Sequence, residues 1–123
     1  MTIHARRDVP ALPDLVFNAA ADPARLAAWL PAPYEVVGRT EDVLIIRRHD
    51  EPRQLQLAAD YDRLLLTWEP LADHGCSGAL RVSLAGAAGS VAELRMDGCP
   101  DDQLPARLLE ALGNEVEQNL TAG

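Results

Sequence analysis

Ala79-Leu80-Arg81-Val82-Ser83-Leu84-Ala85-Gly86-Ala87-Ala88-Gly89-Ser90-Val91-Ala92-Glu93-Leu94-Arg95-Met96 consists of two alternating runs joined by a small, glycine-flanked turn. Leu80, Val82 and Leu84 share one face of the first run; Ala92, Leu94 and Met96 share one face of the second. Strand side chains alternate between the two faces of a sheet. Both apolar sets therefore reach one core only if opposed residue numbers sum to an even value, because a one-residue slip turns a whole face to solvent. A three-residue loop, Ala87-Ala88-Gly89, meets that condition. It places Gly89 at the left-handed position that closes a type I turn plus bulge. The segment is read as an antiparallel hairpin over Gly78–Ala85 and Ser90–Asp97.

Working back from this hairpin, the same grammar repeats. Strand-like runs cover Tyr34–Gly38, Val43–His49, Arg53–Ala59 and Arg63–Glu69. Turn signals separate them at Thr40-Glu41-Asp42, Asp50-Glu51-Pro52, Asp60-Tyr61-Asp62 and the stretch from Pro70 to Ser77. Spacing this regular predicts an antiparallel meander. At the N-terminus Thr2 to Val9 alternates too, with Ile3, Ala5, Arg7 and Val9 on one side. Pro10 and Pro13 end that run, and Pro13 suits the first turn of a helix, where its missing N–H is not needed. A short apolar helix follows over Leu15–Ala20. Asp22 then reads as an N-cap with Pro23 at the first position of a second short helix, Ala24–Leu30, stopped by Pro31 and Pro33.

Beyond the hairpin, Leu104, Leu108, Leu112, Val116 and Leu120, with Leu109 beside them, form an i, i+4 stripe. The stripe predicts a long helix starting near Asp101 or Asp102 with Pro105 in its first turn. Gly113-Asn114 interrupts it, and a mid-helix glycine costs about 1 kcal/mol relative to alanine, so a kink or a loosened turn is expected there.

The chain of 123 residues fits one domain, residues 1–123, with a core that needs no staples. Its formal charge is −8, and it contains no lysine. Phosphate backbones are bound by clustered Lys and Arg, and the arginines here are scattered, so nucleic acid and anionic membrane surfaces are not expected partners. No apolar run of about 18 residues predicts a membrane span, and no signal-peptide pattern opens the chain, so a cytoplasmic protein is expected. With only Phe17, Trp29, Tyr34, Tyr61 and Trp68 as aromatics, the core must be built from Leu, Val, Ile and Ala.

Val9-Pro10-Ala11-Leu12-Pro13-Asp14-Leu15-Val16-Phe17-Asn18-Ala19-Ala20-Ala21-Asp22-Pro23-Ala24-Arg25-Leu26-Ala27-Ala28-Trp29-Leu30-Pro31 resembles the opening signature of the START-like superfamily, also called SRPBCC. Leu26 to Pro31, and Leu64-Leu65-Leu66-Thr67-Trp68-Glu69 with Pro70, are most similar to its chaperone-ATPase-activator-like branch; the polyketide-cyclase-like branch shares the element order. The resemblance implies an α+β helix-grip fold: a seven-stranded curved antiparallel sheet, two short helices, and a long C-terminal helix packed across the sheet. It also implies a small-molecule cavity between sheet and helix. Trp29 is then expected at the cavity mouth, and Leu66, Trp68, Leu80, Val82, Leu94, Leu108, Leu112 and Val116 on its walls, the alternative for each being plain core.

Other residues carry narrower readings. Gln54 and Gln56 alternate with Leu55 and Leu57 and are assigned to the outer surface. One of Arg47 and Arg48 must point inward or sit at the cavity rim, where it would suit a carboxylate; a solvated strand end is the preferred reading. Cys76 and Cys99 fall at the same end of the hairpin, near His74, Asp73 and Asp97, which permits a disulfide or a metal site. Strand parity puts the two side chains on opposite faces and a reducing compartment disfavours the bond, so neither is expected. His4, His49 and His74 lie in separate segments, and no catalytic, cofactor or metal signature is present.

Three functions remain. The first is a non-enzymatic carrier or sensor of a small apolar molecule, with no cofactor. The second is an aromatase/cyclase-like enzyme, which would need a deeper pocket holding Arg, Tyr or an acid with a perturbed pKa. The third is a protein-binding module with a filled core and an exposed apolar patch. The carrier ranks first, because no catalytic set can be named. Oligomeric state is left open, a homodimer included.

Overall fold

In a computed structural model of the chain, strand β1 (Thr2–Val9) leads into helices α1 (Pro13–Ala21) and α2 (Pro23–Trp29). Six strands follow: β2 (Tyr34–Thr40), β3 (Val43–Arg48), β4 (Glu51–Asp60), β5 (Leu65–Pro70), β6 (Ser77–Ala85) and β7 (Gly89–Asp97). Helix α3 (Leu104–Ala122) closes the fold. The structure describes residues 2–31, 33–72, 75–87, 89–99 and 101–122, without the side chains of 23 and 119–122. Asp73, His74, Ala88 and the side chain of Leu120 lie outside the described residues.

The seven strands form one antiparallel sheet in the order β1-β7-β6-β5-β4-β3-β2. The N-terminal strand closes the meander by pairing with the last one, Ile3 opposite Met96 and Ala5 opposite Leu94. This is the expected helix-grip architecture. Among the described residues no helix is long and apolar enough to cross a membrane.

The core gathers at one end of the sheet. Helix α3 packs on β1 and β7, α1 packs on β5, β6 and β7 and against α3, and α2 reaches β2. Phe17 and Val16 of α1 are fully buried. With them, Leu80, Val82, Ala92, Leu94, Met96, Leu109, Leu112 and Val116 make one continuous apolar cluster. Ser90, the buried polar residue of this end, donates its hydroxyl to the Ala11 carbonyl and so fastens β7 to the segment before α1. Asp22 caps α2 as expected, its carboxylate accepting from the Ala24 amide at 3.0 Å.

Several local expectations are corrected. The β6–β7 faces are as read, Leu80 opposite Leu94 and Val82 opposite Ala92, but Ala85 pairs with Gly89. The turn therefore begins at Gly86, and Gly86, not Gly89, takes the left-handed conformation (φ 69°). Either glycine supplies that freedom, so turn chemistry alone did not choose between them. Leu84, expected inside, is 64% exposed at the hairpin end.

The turn expected at Asp50-Glu51-Pro52 is a tighter one: β4 already begins at Glu51, and His49 absorbs the reversal with φ 57°. The turn after β4 runs to Leu64, so β5 starts at Leu65; Asp60 holds it by accepting from the amides of Asp62 and Arg63. Helix α3 is unbroken at Gly113. That glycine is there for space: a Cβ would lie 2.6 Å from Nε of Arg7, the inward-facing arginine of β1.

The cysteines overturn the parity argument. Cys76 and Cys99 are joined as a disulfide, with Cα atoms 4.7 Å apart. Parity holds only inside regular strands, and both residues lie just beyond them. Gly98, at φ 75°, turns the chain immediately after β7, and a Cβ there would meet the Gly75 carbonyl at 2.8 Å. Two glycines in backbone contact bring the cysteine that follows each of them together.

Candidate functional site

The other end of the sheet is not filled. Leu44 and Ile46 of β3, Leu55 and Leu57 of β4, and Leu66 and Trp68 of β5 turn inward from alternating positions, as the strand period dictates. No helix covers them as closely as α1 and α3 cover β6 and β7. Between these residues and the helices lies an apolar pocket of about 150 Å³. Helix α3 contributes Leu104, Leu108, Leu109 and Leu112 to its wall, and the α2 side contributes Leu26, Trp29 and Leu30.

Of the residues expected at a cavity, Trp29, Leu66, Trp68, Leu80, Leu94, Leu108 and Leu112 lie on this wall. Val82 and Val116 do not; they are 2% and 3% exposed within the packed core. Both sit where α1 and α3 already meet the sheet, so no space remains beside them. The wall also takes Tyr34, Leu44 and Ile46, to which no face was assigned, and Leu55 and Leu57, whose inward direction follows from placing Gln54 and Gln56 outside; Leu44 stands opposite Leu55 on the shared face. Gln54 and Gln56 are exposed on the opposite face.

Two tryptophans shape the pocket by different means. The indole N–H of Trp29 donates to the Ala19 carbonyl at 3.0 Å, which ties the end of α2 back onto α1 and fixes the ring. Trp68 lies across Gly78, its partner in β6, where a Cβ would stand 2.3 Å from the ring. A glycine at this strand position gives the indole its bed. Cys76 also lines the pocket, so the disulfide bounds it at the β6–β7 end.

The wall contains no Asp, Glu, His or Arg among the described residues. Nor does any group of three or more His, Cys, Asp or Glu stand close enough to hold a metal ion among them. His4 is on the outer face and His49 in the β3–β4 turn, so they do not converge. Asp97 accepts from the Thr2 hydroxyl at the sheet surface.

Arg47 and Arg48 end β3 beyond the lining residues. Arg47 points outward and pairs with Glu35 across β2–β3. Arg48 continues the inward row of Leu44 and Ile46 and is half-buried, contrary to the preferred reading of a solvated strand end. Its guanidinium carbon stands 5.9 Å from the ring centroid of Tyr34, a pocket-wall residue.

No family model and no curated protein matches this sequence. Solved structures do. TTHA0849 from Thermus thermophilus superposes with a TM-score of 0.73 at 18% identity, over 97% of this chain and 99% of that one. The di-domain ARO/CYC StfQ from the steffimycin biosynthetic pathway gives 0.73 at 14% identity over 97% of this chain, which spans 46% of StfQ. The solution structure of the Aha1 dimer from Colwellia psychrerythraea gives 0.73 at 11% identity, over 95% of this chain and 96% of that one. The likeness establishes the helix-grip fold.

Proposed function

We propose that this helix-grip chain binds a small hydrophobic molecule between the inner face of β2–β5 and helices α2 and α3. The observation that carries the reading is the unfilled pocket. Protein interiors are close-packed, and a void lined by Leu, Ile and Trp forfeits dispersion contacts on every side. Apolar cavities accept apolar guests, and one of about 150 Å³ takes benzene. A single aromatic ring or a short branched chain is therefore the size of guest that fits the pocket as it stands.

Binding without turnover is the form of this function that the wall supports. Acid–base or nucleophilic chemistry needs a titratable group within hydrogen-bond reach of the guest; among the described residues Tyr34 brings one phenol to a wall that is otherwise aliphatic, indole and disulfide, with no Asp, Glu, His or Arg on that wall to form a catalytic pair. The likeness to an ARO/CYC domain is consistent with a pocket of this kind in this place. The pocket itself favours a small molecule over the protein-docking alternative, for which a filled core is expected.

The test uses 2-phenylethanol as an uncharged one-ring probe, titrated by calorimetry and followed by the fluorescence of Trp29 and Trp68. Saturable binding with a change in tryptophan emission is expected. Leu57→Trp, which projects an indole into the pocket from β4, should abolish binding while leaving the melting temperature unchanged or raised. Absence of binding, or binding that Leu57→Trp leaves intact, overturns the proposal.

A further inference from the structure

We infer that the guest of this pocket is an apolar monocarboxylate, its charged end held by Arg48 at the rim. The inference rests on the small-molecule reading above and adds the chemical class of the molecule.

Arg48 combines three features that a merely solvated arginine lacks. Its Nε is buried and has no hydrogen-bond partner. A buried donor left unmade carries its full desolvation cost, so an unpaired one calls for an explanation. The guanidinium carbon also stands 5.9 Å from the ring centroid of Tyr34, a residue of the pocket wall, and this contact ties the charge to that side of the pocket.

The third feature is that the nearby carboxylates are taken. Glu51 stands directly opposite Arg48 in the β3–β4 pair, yet it binds Arg53 at 3.2 Å. Glu35, on the strand at the other side, is engaged by Arg47. Among the described residues of this rim, the pairing of two acids with two arginines leaves Arg48 as the cation without a carboxylate, in a chain whose net charge is −8.

The chemistry follows from the shapes. Guanidinium presents a planar fork of donors that matches a carboxylate in two parallel hydrogen bonds. An apolar pocket with one oriented polar group at its mouth is the usual design of a small-molecule site. A molecule with one ring or a short branched chain at one end and a carboxylate at the other meets both halves: the apolar end fills the void between β3, β4 and α3, and the carboxylate satisfies Nε–H.

Phenylacetate and 2-phenylethanol share the ring and differ at the charged end, so their comparison separates the two proposals. The wild type should bind phenylacetate at least about tenfold more tightly than the alcohol, as a charge-assisted hydrogen bond predicts. Arg48→Gln should weaken phenylacetate by a similar factor and leave 2-phenylethanol within about twofold, and its retained alcohol binding reports that the fold is intact. Arg48→Lys should recover part of the loss, and Arg47→Gln, on the outward side, should change neither affinity. If the alcohol binds but Arg48→Gln leaves phenylacetate untouched, the carboxylate assignment is overturned and the apolar guest stands. If neither compound binds the wild type, both proposals are overturned together.

Discussion

Strands β1, β7 and β6 carry inner residues beneath α1 and α3, whereas β4, β3 and β2 turn equally apolar residues towards the pocket. The two regions use the same pattern. Val82 and Ala92 on one side, and Leu55 and Leu57 on the other, are inward residues of alternating antiparallel strands. What separates them is cover. Two helices lie on the first three strands, while α2 is only seven residues long and reaches β2. The void is thus a consequence of helix length and placement, and no unusual strand chemistry is needed to produce it.

The comparison is broken most sharply by truncating one side chain from each region. Phe17 is fully buried and meets Tyr61 edge-on at 5.2 Å. Phe17→Ala should cost about 3–5 kcal/mol, the range for an aromatic lost from a close-packed core. Leu57 is half-buried against a pocket that already exists. Leu57→Ala should cost about 1 kcal/mol or less, because few contacts are lost and the cavity only grows. Urea unfolding measures both; comparable losses would mean that the two regions are equally packed.

A smaller effect is expected at the seam between the regions. The Cys76–Cys99 disulfide closes a loop with a sequence separation of 23 and stands on the pocket wall. Loop-closure entropy gives such a bond about 3 kcal/mol. Thermal melts with and without dithiothreitol should therefore differ, the reduced protein melting lower. Equal melting temperatures would show that the two glycine turns hold this end of the sheet without the bond.

The sheet was legible because alternation and turn signals agree over long runs. Even the inward arginine of β1 was visible in the Ile3, Ala5, Arg7, Val9 series. Residues outside regular strands were not. The loop shift from Gly89 to Gly86 left every face unchanged, so no hydrophobic pattern recorded it. The disulfide depends on φ 75° at Gly98, a conformation that ends the very periodicity from which the cysteine positions were inferred. Arg47 and Arg48 could be told apart only once β2 was paired with β3, placing Glu35 opposite Arg47. Seven of the expected wall residues line the pocket while Val82 and Val116 lie in solid core, because alternation and a helical stripe show which side is apolar and not where its cover ends.

The smallest predicted effect probes the filled region at its tightest approach. Gly113 sits in the middle of α3, where alanine would normally stabilise a helix by about 1 kcal/mol. Here the added Cβ would lie 2.6 Å from Arg7 Nε and 3.3 Å from its Cδ. The arginine must move, and it is an inward residue of β1 with the helix above it, so the propensity gain should be offset. Gly113→Ala alone is expected to be neutral or destabilising by less than about 1 kcal/mol. In an Arg7→Ala background the obstruction is gone, and the same substitution should recover its gain of about 1 kcal/mol. The coupling between the two positions, read from a double-mutant cycle by urea unfolding, is the quantity of interest. A full gain in both backgrounds would mean that α3 does not bear on β1 at this point, and the contrast between a sealed and an open end of the sheet would then need another cause.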